Sequence, residues 1–325
     1  MLPPINAAGY SPQQILMTLA AISYADSDAD LAVELANPAY ATQGQWNLVW
    51  GPVHTAYGVN LDNLMYVVQL GGTNIFAIAI RGTVFQHNLS TLMDLFEDLE
   101  VSHALPWIYP PVAGSLVAGG TLTGLAVLTA MQSKGQSIFD FLNTFIDPTI
   151  YVTGHSLGGC LSTLIAPWLQ YQFKASGRPV AGIYPYTFAA PSAGNATFAA
   201  WYNAQFPISA RYFNAIDVVP NAWASISNIK ALFPLGPSCP WPLKGIIDVV
   251  NDSLDTLHIG YTQPNGNGTV LPGVTTQNPD WFVEVGNQHD SNYYLRLLSA
   301  PPINTAVVLQ PKTHADVIMG SVRPV

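Results

Sequence analysis

The sequence predicts an α/β fold in which a mainly parallel central sheet is covered by helices on both faces. Strand and helix patterns alternate through residues 64–215, which is the order expected when covering helices connect successive strands. Several strand candidates are continuous apolar runs, typical of parallel strands that are buried on both sides. Hydrophobic residues make up 49% of the 325 residues, enough for a large core. Because no linker separates two halves, we expect one domain over residues 1–325.

Capping residues and periodicity assign the elements in chain order. Ser11 and Pro12 are typical of a helix start and predict a helix over residues 11–24. Gly71-Gly72-Thr73-Asn74 lies between two apolar runs and predicts a β-hairpin of residues 64–70 and 75–80. Further helices are predicted at 89–99, 112–131, 160–173, 245–257 and 288–298, and further strands at 149–153, 184–188 and 211–214.

A long segment without charged side chains, residues 101–133, raises the alternative of a membrane-spanning helix. Glycine, serine and threonine dilute its hydrophobicity, and Pro106, Pro110 and Pro111 interrupt it. We therefore predict a buried helix over 112–131 and no transmembrane segment. Residues 1–9 lack the basic and apolar stretches of a secretory leader, so we expect no signal peptide in this chain.

The charge balance limits the partners of the chain. Only ten residues are Lys or Arg and the net charge is −9, so the basic surface of a nucleic-acid-binding protein is not expected. The same balance argues against attraction to anionic phospholipids, and any lipid contact would be apolar. Two cysteines, Cys160 and Cys239, are too few for a disulfide framework or a zinc site. A single bridge between them stays open.

The hexapeptide Gly154-His155-Ser156-Leu157-Gly158-Gly159 contains the pattern Gly-x-Ser-x-Gly between a predicted strand and a predicted helix. Such a turn presents a serine nucleophile, and its glycines are needed because a Cβ would crowd a strained backbone. The sequence therefore predicts that Ser156 is a nucleophile. The alternative is an ordinary glycine-rich turn in which Ser156 only forms the turn. His155 is predicted to point away from the nucleophile and to be structural.

A serine nucleophile needs a histidine that takes its proton and an acid that orients the histidine. On an α/β-hydrolase sheet the acid and then the histidine follow the serine in the chain. The candidate acids are Asp217, Asp248, Asp255 and Asp280. Asp217 alone directly follows a strand, at the sheet edge where such sites gather. An aspartate that caps the next segment is the alternative for it.

Three histidines follow the serine. His289 lies in a polar segment near the end of the chain, as expected of a base carried on a loop. His258 ends an apolar helix, where it would pack or cap, and His314 is expected to be exposed near the C-terminus. His289 is therefore the predicted base.

Segments around these residues resemble the class 3 lipase family, the fungal-type triacylglycerol lipases. Ile80-Arg81-Gly82-Thr83 is similar to the family's oxyanion segment, and Phe188 to Asn195 resembles its Phe-Gly-x-Pro-x-x-Gly-Asn segment, with Ala189 replacing the glycine. Gly154 to Gly159 resembles its elbow, and Phe213 to Pro220 its acid segment. His289 to Tyr294 resembles the His-x-x-Tyr segment that carries the base.

The resemblance implies an α/β-hydrolase with a helical lid and a triad of Ser156, Asp217 and His289. It assigns the oxyanion donors to the N–H and hydroxyl of Thr83 and the N–H of Leu157. It also implies a lid at 84–109, an insertion at 223–260, and no metal or organic cofactor. The chain departs from the family at residues 112–116, which lack the usual histidine and aromatic residue, and in having so few cysteines.

The reaction implied is hydrolysis of lipid esters, with triacylglycerol at an oil–water interface as the expected substrate. Phospholipase A1 and feruloyl or short-chain esterase activities are alternatives on the same fold. A catalytically dead lipid-binding protein is an alternative of a different class. Family members imply an extracellular location.

Overall fold

The computed structural model describes residues 5, 9–57, 61–82, 100–265, 268–276 and 278–304. The helices in these residues are α1 (Pro12–Ile22), α2 (Asp28–Leu35), α3 (Gly119–Ala130), α4 (Ile138–Leu142), α5 (Leu157–Ala175), α6 (Ala196–Gln205), α7 (Trp241–Thr256), α8 (Trp281–His289) and α9 (Ser291–Leu297). The strands are β1 (Trp46–Tyr57), β2 (Leu61–Leu70), β3 (Ile75–Ile80), β4 (Ala104–Ile108), β5 (Pro111–Ala118), β6 (Gln132–Ser133), β7 (Gln136–Ser137), β8 (Thr149–His155), β9 (Gly182–Phe188), β10 (Gly194–Asn195), β11 (Ala210–Asn214), β12 (Tyr261–Thr262) and β13 (Thr269–Leu271).

The described strands form a central sheet in the order β1-β2-β3-β8-β9-β11-β13. The pairs from β3 to β13 are all parallel. The edge pairs β1–β2 and β2–β3 are antiparallel, and β2–β3 is the predicted hairpin. The predicted mainly parallel sheet is therefore confirmed.

Both faces of this sheet are buried, as strand β3 shows. Phe76, Ile78 and Ile80 pack into a core cluster that contains the apolar residues of α5. The alternate residues Ala77 and Ala79 pack into a second cluster with α1. Because successive side chains of a strand point to opposite faces, helices cover the sheet on both sides, as predicted. Each large side chain buried in this way contributes about 1.5–3 kcal/mol.

The predicted helix over 112–131 is wrong in its first part. Residues 111–118 form strand β5, which pairs antiparallel with β4, and the helix begins only at Gly119. Gly114 adopts a φ of +75°, outside the right-handed helical region. The amide of Asn195 also draws this segment into a second sheet, since its Oδ1 accepts from the N–H of Leu116 at 3.1 Å. A second, four-stranded sheet, β12-β10-β5-β4, results.

The predicted lid at 84–109 falls in two parts. Residues 84–99, including the predicted helix 89–99, lie outside the described residues. Residues 104–108 are strand β4 of the second sheet, so that end of the segment is not helical. Trp107 holds it in place, since its side chain is buried and its ring contacts the rings of Phe198 and Trp201.

Two later helix predictions differ in their bounds. The helix predicted at 245–257, within the proposed insertion 223–260, is α7 and begins earlier, at Trp241. The helix predicted at 288–298 is in fact two helices, because Asp290 leaves the helical conformation and caps α9 through the N–H of Tyr293 at 2.8 Å. Cys160 and Cys239 are both free, buried thiols. Within the described residues, no helix is long and apolar enough to span a membrane.

Candidate active site

The turn between β8 and α5 carries Ser156 in a strained conformation. Its φ of 61° and ψ of −132° lie in a region that side chains rarely adopt. The neighbouring backbones make room only for glycine. A Cβ on Gly154 would lie 2.3 Å from the carbonyl carbon of Gly158, and one on Gly158 would lie 2.1 Å from the carbonyl oxygen of Ile80. Close backbone packing therefore forces the strained turn.

The structure brings the three predicted residues together in a chain of hydrogen bonds. His289 Nε2 lies 2.8 Å from Ser156 Oγ, and His289 Nδ1 lies 2.8 Å from Asp217 Oδ2. All three side chains are buried, with exposed fractions of 2% for Ser156, 0% for Asp217 and 3% for His289. In such surroundings of low dielectric, hydrogen bonds to the carboxylate are stronger than they would be in water. A serine, an imidazole and a carboxylate in this order have the geometry of an activated nucleophile.

His289 lies at the end of a helix rather than on the predicted loop. It is the last residue of helix α8, and Asp217 lies in the turn that follows β11. Both residues lie at element ends, where the backbone direction changes.

Two further groups hold the Asp217 carboxylate. The N–H of Val219 donates to Oδ1 at 3.0 Å, and the hydroxyl of Tyr294 donates to Oδ2 at 2.7 Å. Burial, together with the neighbouring Asp217, raises the pKa of Tyr294 well above its ordinary value, so the phenol keeps its proton. The phenol oxygen in turn accepts the N–H of Asn214 at 2.9 Å. Sequence reasoning assigned Tyr294 no role, although it lies in the segment that resembles the family's base segment.

A second set of hydrogen bonds supports the helix that carries His289. Asn214 Nδ2 donates to both the carbonyl and the side-chain oxygen of Gln288, at 2.9 and 2.8 Å. Gln288 Nε2 donates to Glu284 Oε1 at 2.8 Å, and Glu284 also accepts from the N–H and hydroxyl of Thr276. Asn214, Gln288 and Glu284 are completely buried. The strand that precedes Asp217 is thus tied directly to the residue before His289.

His155 lies against the base rather than apart from it. Its ring centroid is 4.6 Å from that of His289, and its Nδ1 lies 3.1 Å from the Tyr24 hydroxyl. Burial, with the neighbouring His289, lowers the pKa of His155 well below its ordinary value. A neutral ring therefore packs beside the base, in agreement with a structural role for His155.

The comparisons with known proteins agree with this geometry. A family model described as Lipase (class 3) matches residues 77–226, the stretch from β3 through the elbow and past Asp217. The crystal structure of M37 lipase matches the fold with a TM-score of 0.77 and 26% identity, over 89% of this chain and 93% of that one. Residues 77–226 of the chain are therefore similar to the class 3 lipases.

Other relatives match over shorter stretches. Lipase ZK262.3 of Caenorhabditis elegans is 32% identical over 93 residues, which are 29% of this chain and 26% of that protein. This match therefore spans about a quarter of the length of that curated relative. The lipase of Rhizomucor miehei in its propeptide complex is 24% identical, with a TM-score of 0.45, over 64% of this chain and 61% of that one. The family match and the M37 lipase fold together support a lipase-type carboxylic ester hydrolase.

The predicted oxyanion donors are only partly described. Leu157 is the first residue of α5, where an N–H has no acceptor within the helix and faces outward. Thr83 lies outside the described residues. The two residues before it are anchored, however. Arg81 is buried and donates from its guanidinium to the carbonyls of Ser23 and Ala25, just beyond the end of α1.

Gly82 fixes the approach of this segment to the elbow. A Cβ there would lie 2.4 Å from the carbonyl oxygen of His155 and 2.8 Å from the Cβ of Ser156. The chain leaving β3 therefore passes directly over the nucleophile.

The other candidate acids and histidines have different partners. Asp248 pairs with Lys230, Asp255 accepts from the Asn251 amide, and Asp280 caps α8. His258 follows the end of α7, and His314 lies outside the described residues. Within the described part of the chain, no group of three or more His, Cys, Asp or Glu side chains is placed to hold a metal ion.

Proposed function

We propose that the chain is a triacylglycerol lipase that works through a Ser156–His289–Asp217 triad and an acyl-enzyme. The observation that carries the proposal is the pair of 2.8 Å contacts that join Ser156 Oγ to His289 and His289 to Asp217. This pair lies at the elbow of a class 3 lipase fold. A serine that only formed an ordinary turn would not need a hydrogen bond to a histidine that an aspartate orients.

In the proposed reaction, His289 Nε2 takes the hydroxyl proton as Ser156 Oγ attacks the ester carbonyl carbon. Asp217 holds the Nδ1 proton and stabilises the imidazolium. The tetrahedral intermediate collapses, the imidazolium gives its proton to the departing alcohol, and the acyl group stays on Ser156. Water, deprotonated by His289, then attacks the acyl-enzyme and releases the fatty acid and free Ser156.

The negative charge on the carbonyl oxygen needs donors that are already in place. The N–H of Leu157 at the start of α5 fits this role, and Thr83 is the second donor implied by the family resemblance. Removing one such donor from an oxyanion hole typically costs about 2.7–4 kcal/mol of transition-state stabilisation. Thr83→Val keeps the shape and the backbone N–H, so a loss of more than tenfold in kcat would assign a role to the hydroxyl.

A serine-directed phosphonate tests the chemistry. Ser156 should form a covalent adduct, located by peptide mass spectrometry, and Ser156→Ala should lose both the adduct and several orders of magnitude of kcat. Ser162→Ala is the matched control, because Ser162 is buried on α5, the helix that follows Ser156, but donates only to the carbonyl of Gly158. An unlabelled wild-type protein with no esterase activity would instead identify a dead lipid-binding protein.

Emulsions test the substrate class and the interface. Hydrolysis of a triolein emulsion should exceed that of soluble short-chain p-nitrophenyl esters and of phosphatidylcholine vesicles. If residues 84–99 are a lid, activity should rise sharply when a triglyceride passes its solubility limit. Leu92→Ser with Phe96→Ser should weaken the rise and spare the soluble ester. Smooth saturation through the limit, with the highest rates on soluble esters, would favour an esterase.

A further inference from the structure

A second site lies away from the triad, at the edge of the central sheet. The chain segment after Asp217, strand β12 and the β11–β13 edge border an open cavity of about 600 Å³. This volume falls within the range of about 300–1,000 Å³ that small-molecule sites usually have. None of the triad residues lines it. Its walls mix apolar and polar side chains, among them Arg211, Phe213, Asn221, Ser225, Thr262 and Val270.

Arg211 is the unusual member of this wall. Its side chain is only 7% exposed, yet within the described residues it makes no ion pair and no side-chain hydrogen bond, and its Nε is fully buried without an acceptor. Desolvation lowers the pKa of its guanidinium to about 10, so it remains charged at neutral pH. Buried charges in proteins are normally paired, because an unpaired one loses its hydration without compensation.

Among the described neighbours of Arg211, an aromatic ring takes the place that an anion would normally have beside a buried guanidinium. Its guanidinium carbon lies 4.2 Å from the ring centroid of Phe213, a cation–π contact that leaves the buried Nε–H without an acceptor. The hydroxyls of Ser225 and Thr262, also on the cavity wall, make no hydrogen bond with the described residues. A cation and two available hydroxyls therefore line one cavity in a chain whose net charge is −9.

The walls of the cavity are fixed in place. Gln263 Nε2 donates to the carbonyls of Ala190 and Pro220, at 3.1 and 3.0 Å, and thereby joins β12 to the segment after Asp217. Asn221 Nδ2 donates to the carbonyl of Asp217 at 2.9 Å. The cavity is thus preformed, which lowers the cost of ordering on binding.

We propose that this cavity binds a carboxylate that carries a short apolar chain, with Arg211 as the anchor. A guanidinium fork matches the two oxygens of a carboxylate, and Ser225 and Thr262 can donate further hydrogen bonds. Phe213 and Val270 provide apolar surface for the chain of the ligand. A lone inorganic ion would leave most of the cavity, and this apolar surface, unused.

Titration calorimetry on the full chain at pH 7 tests the proposal with octanoate, octan-1-ol and inorganic phosphate. Octanoate should bind saturably, and Arg211→Gln should lose that site or weaken it at least tenfold. Arg296→Gln is the matched control, since Arg296 also lies over a ring, that of Tyr293, but is exposed. Its octanoate affinity should stay within twofold of wild type. Octanoate bound in the catalytic cleft would not depend on Arg211.

A second variant keeps the test decisive if Arg211→Gln does not fold. Ser225→Asp supplies an internal carboxylate to the cavity and should lower octanoate affinity at least tenfold, whereas the neutral Ser225→Asn should not. Octanoate binding that persists in both Arg211→Gln and Ser225→Asp would overturn the proposal. So would equal affinity for octan-1-ol, because charge would then play no part. Phosphate binding more tightly than octanoate would identify an inorganic-anion site and overturn the assignment of a carboxylate with an apolar chain.

Discussion

The nucleophile turn and the segments that carry Asp217 and His289 are held in place by different forces. Around Ser156, glycines let three backbones approach so closely that a Cβ on Gly82, Gly154 or Gly158 would come within 2.4 Å of another atom. Around Asp217 and His289, the segments are held by side-chain hydrogen bonds from Tyr294, Asn214 and Gln288. Where close backbone packing positions the nucleophile, adding a single Cβ to one of these glycines should disrupt the turn completely. Where hydrogen bonds position Asp217 and His289, removing one donor or acceptor at a time should weaken their positioning stepwise.

The largest effect expected from this difference is that of Gly158→Ala. The new Cβ would meet the carbonyl oxygen of Ile80 at 2.1 Å, so the backbone of β3 or of the elbow has to move. We expect a loss of about 4 kcal/mol or more in the free energy of unfolding, which is exceptional for one substitution. Urea denaturation measures it.

Gly245→Ala is the control for Gly158→Ala. Gly245 lies inside α7, and apart from its chain neighbours and the backbone of α7 no atom of the described residues lies within 4 Å of the position that the new methyl group would take. Alanine there should stabilise the protein by about 0.5–1 kcal/mol through helix propensity. Wild-type stability in Gly158→Ala would contradict the steric account of the elbow.

The second-largest effect is expected from Tyr294→Phe, which removes the hydroxyl that donates to the Asp217 carboxylate. The substitution takes a donor from Asp217 Oδ2 and leaves the buried N–H of Asn214 without its acceptor. Leaving one buried group unsatisfied costs about 1–3 kcal/mol of stability. We expect kcat to fall by about tenfold, equivalent to about 1.4 kcal/mol, because the carboxylate that orients His289 is less firmly held.

Tyr293→Phe separates this effect from the loss of any tyrosine hydroxyl. The Tyr293 hydroxyl contacts only the backbone of Val274, near the surface. Its removal should change stability by about 0.5 kcal/mol or less, the usual range for surface substitutions, and leave kcat unchanged. Equal losses of kcat in the two variants would show that Tyr294 acts through packing alone.

The same difference explains what could be predicted from the sequence. The elbow is encoded in consecutive residues, Gly154 to Gly159, and the strands beside it are apolar because both sheet faces are buried. The fold and the candidate residues could be proposed for that reason. The contacts of Asn214 and Tyr294 join residues that are 74 to 80 positions apart, and no local pattern reports them.

The error at residues 111–118 has a similar cause. The segment is apolar and uncharged, which suits a buried helix and a buried strand equally well. The segment forms a strand because it pairs with β4 and with Gly194 of β10, and because Gly114 has a positive φ. Pairing with a distant strand leaves no trace in the periodicity of the segment itself.

A smaller effect is expected from Glu284→Gln, two contacts away from His289. Glu284 accepts hydrogen bonds from Thr276 and Gln288 and is completely buried. A glutamine would place an NH₂ donor against one of these donors, at a cost of about 1–2 kcal/mol of stability. We expect kcat to fall about threefold, which is about 0.7 kcal/mol, because Gln288 loses part of its support.

Glu34→Gln is the matched control for Glu284→Gln. Glu34 is also buried, but it lies in α2, outside the hydrogen bonds around Gln288, and its Oε2 has no hydrogen-bond partner among the described residues. It should leave kcat unchanged even if stability changes. A fall in kcat of the same size in both variants would show that the network around Gln288 has no special part in positioning the base.

The last effect concerns His155, which lies between the nucleophile turn and the base, and it appears only when the pH is lowered. In the folded chain its pKa lies well below 6.5 because the ring is buried beside His289. Between that lowered pKa and 6.5 the unfolded chain binds a proton that the folded chain does not. Unfolding is then favoured as the pH falls, with a slope of at most about 1.4 kcal/mol per pH unit from this residue. Above pH 6.5 both states are neutral at His155, and the slope vanishes.

Comparing wild type with His155→Gln isolates this contribution from that of the other titrating groups. The free energy of unfolding, measured from pH 7.5 down to pH 5, should fall less steeply in His155→Gln below pH 6.5. Parallel curves for wild type and His155→Gln would mean that the folded chain protonates His155 as readily as the unfolded chain does. The elbow and the base would then be less tightly packed against each other than the 4.6 Å ring contact indicates.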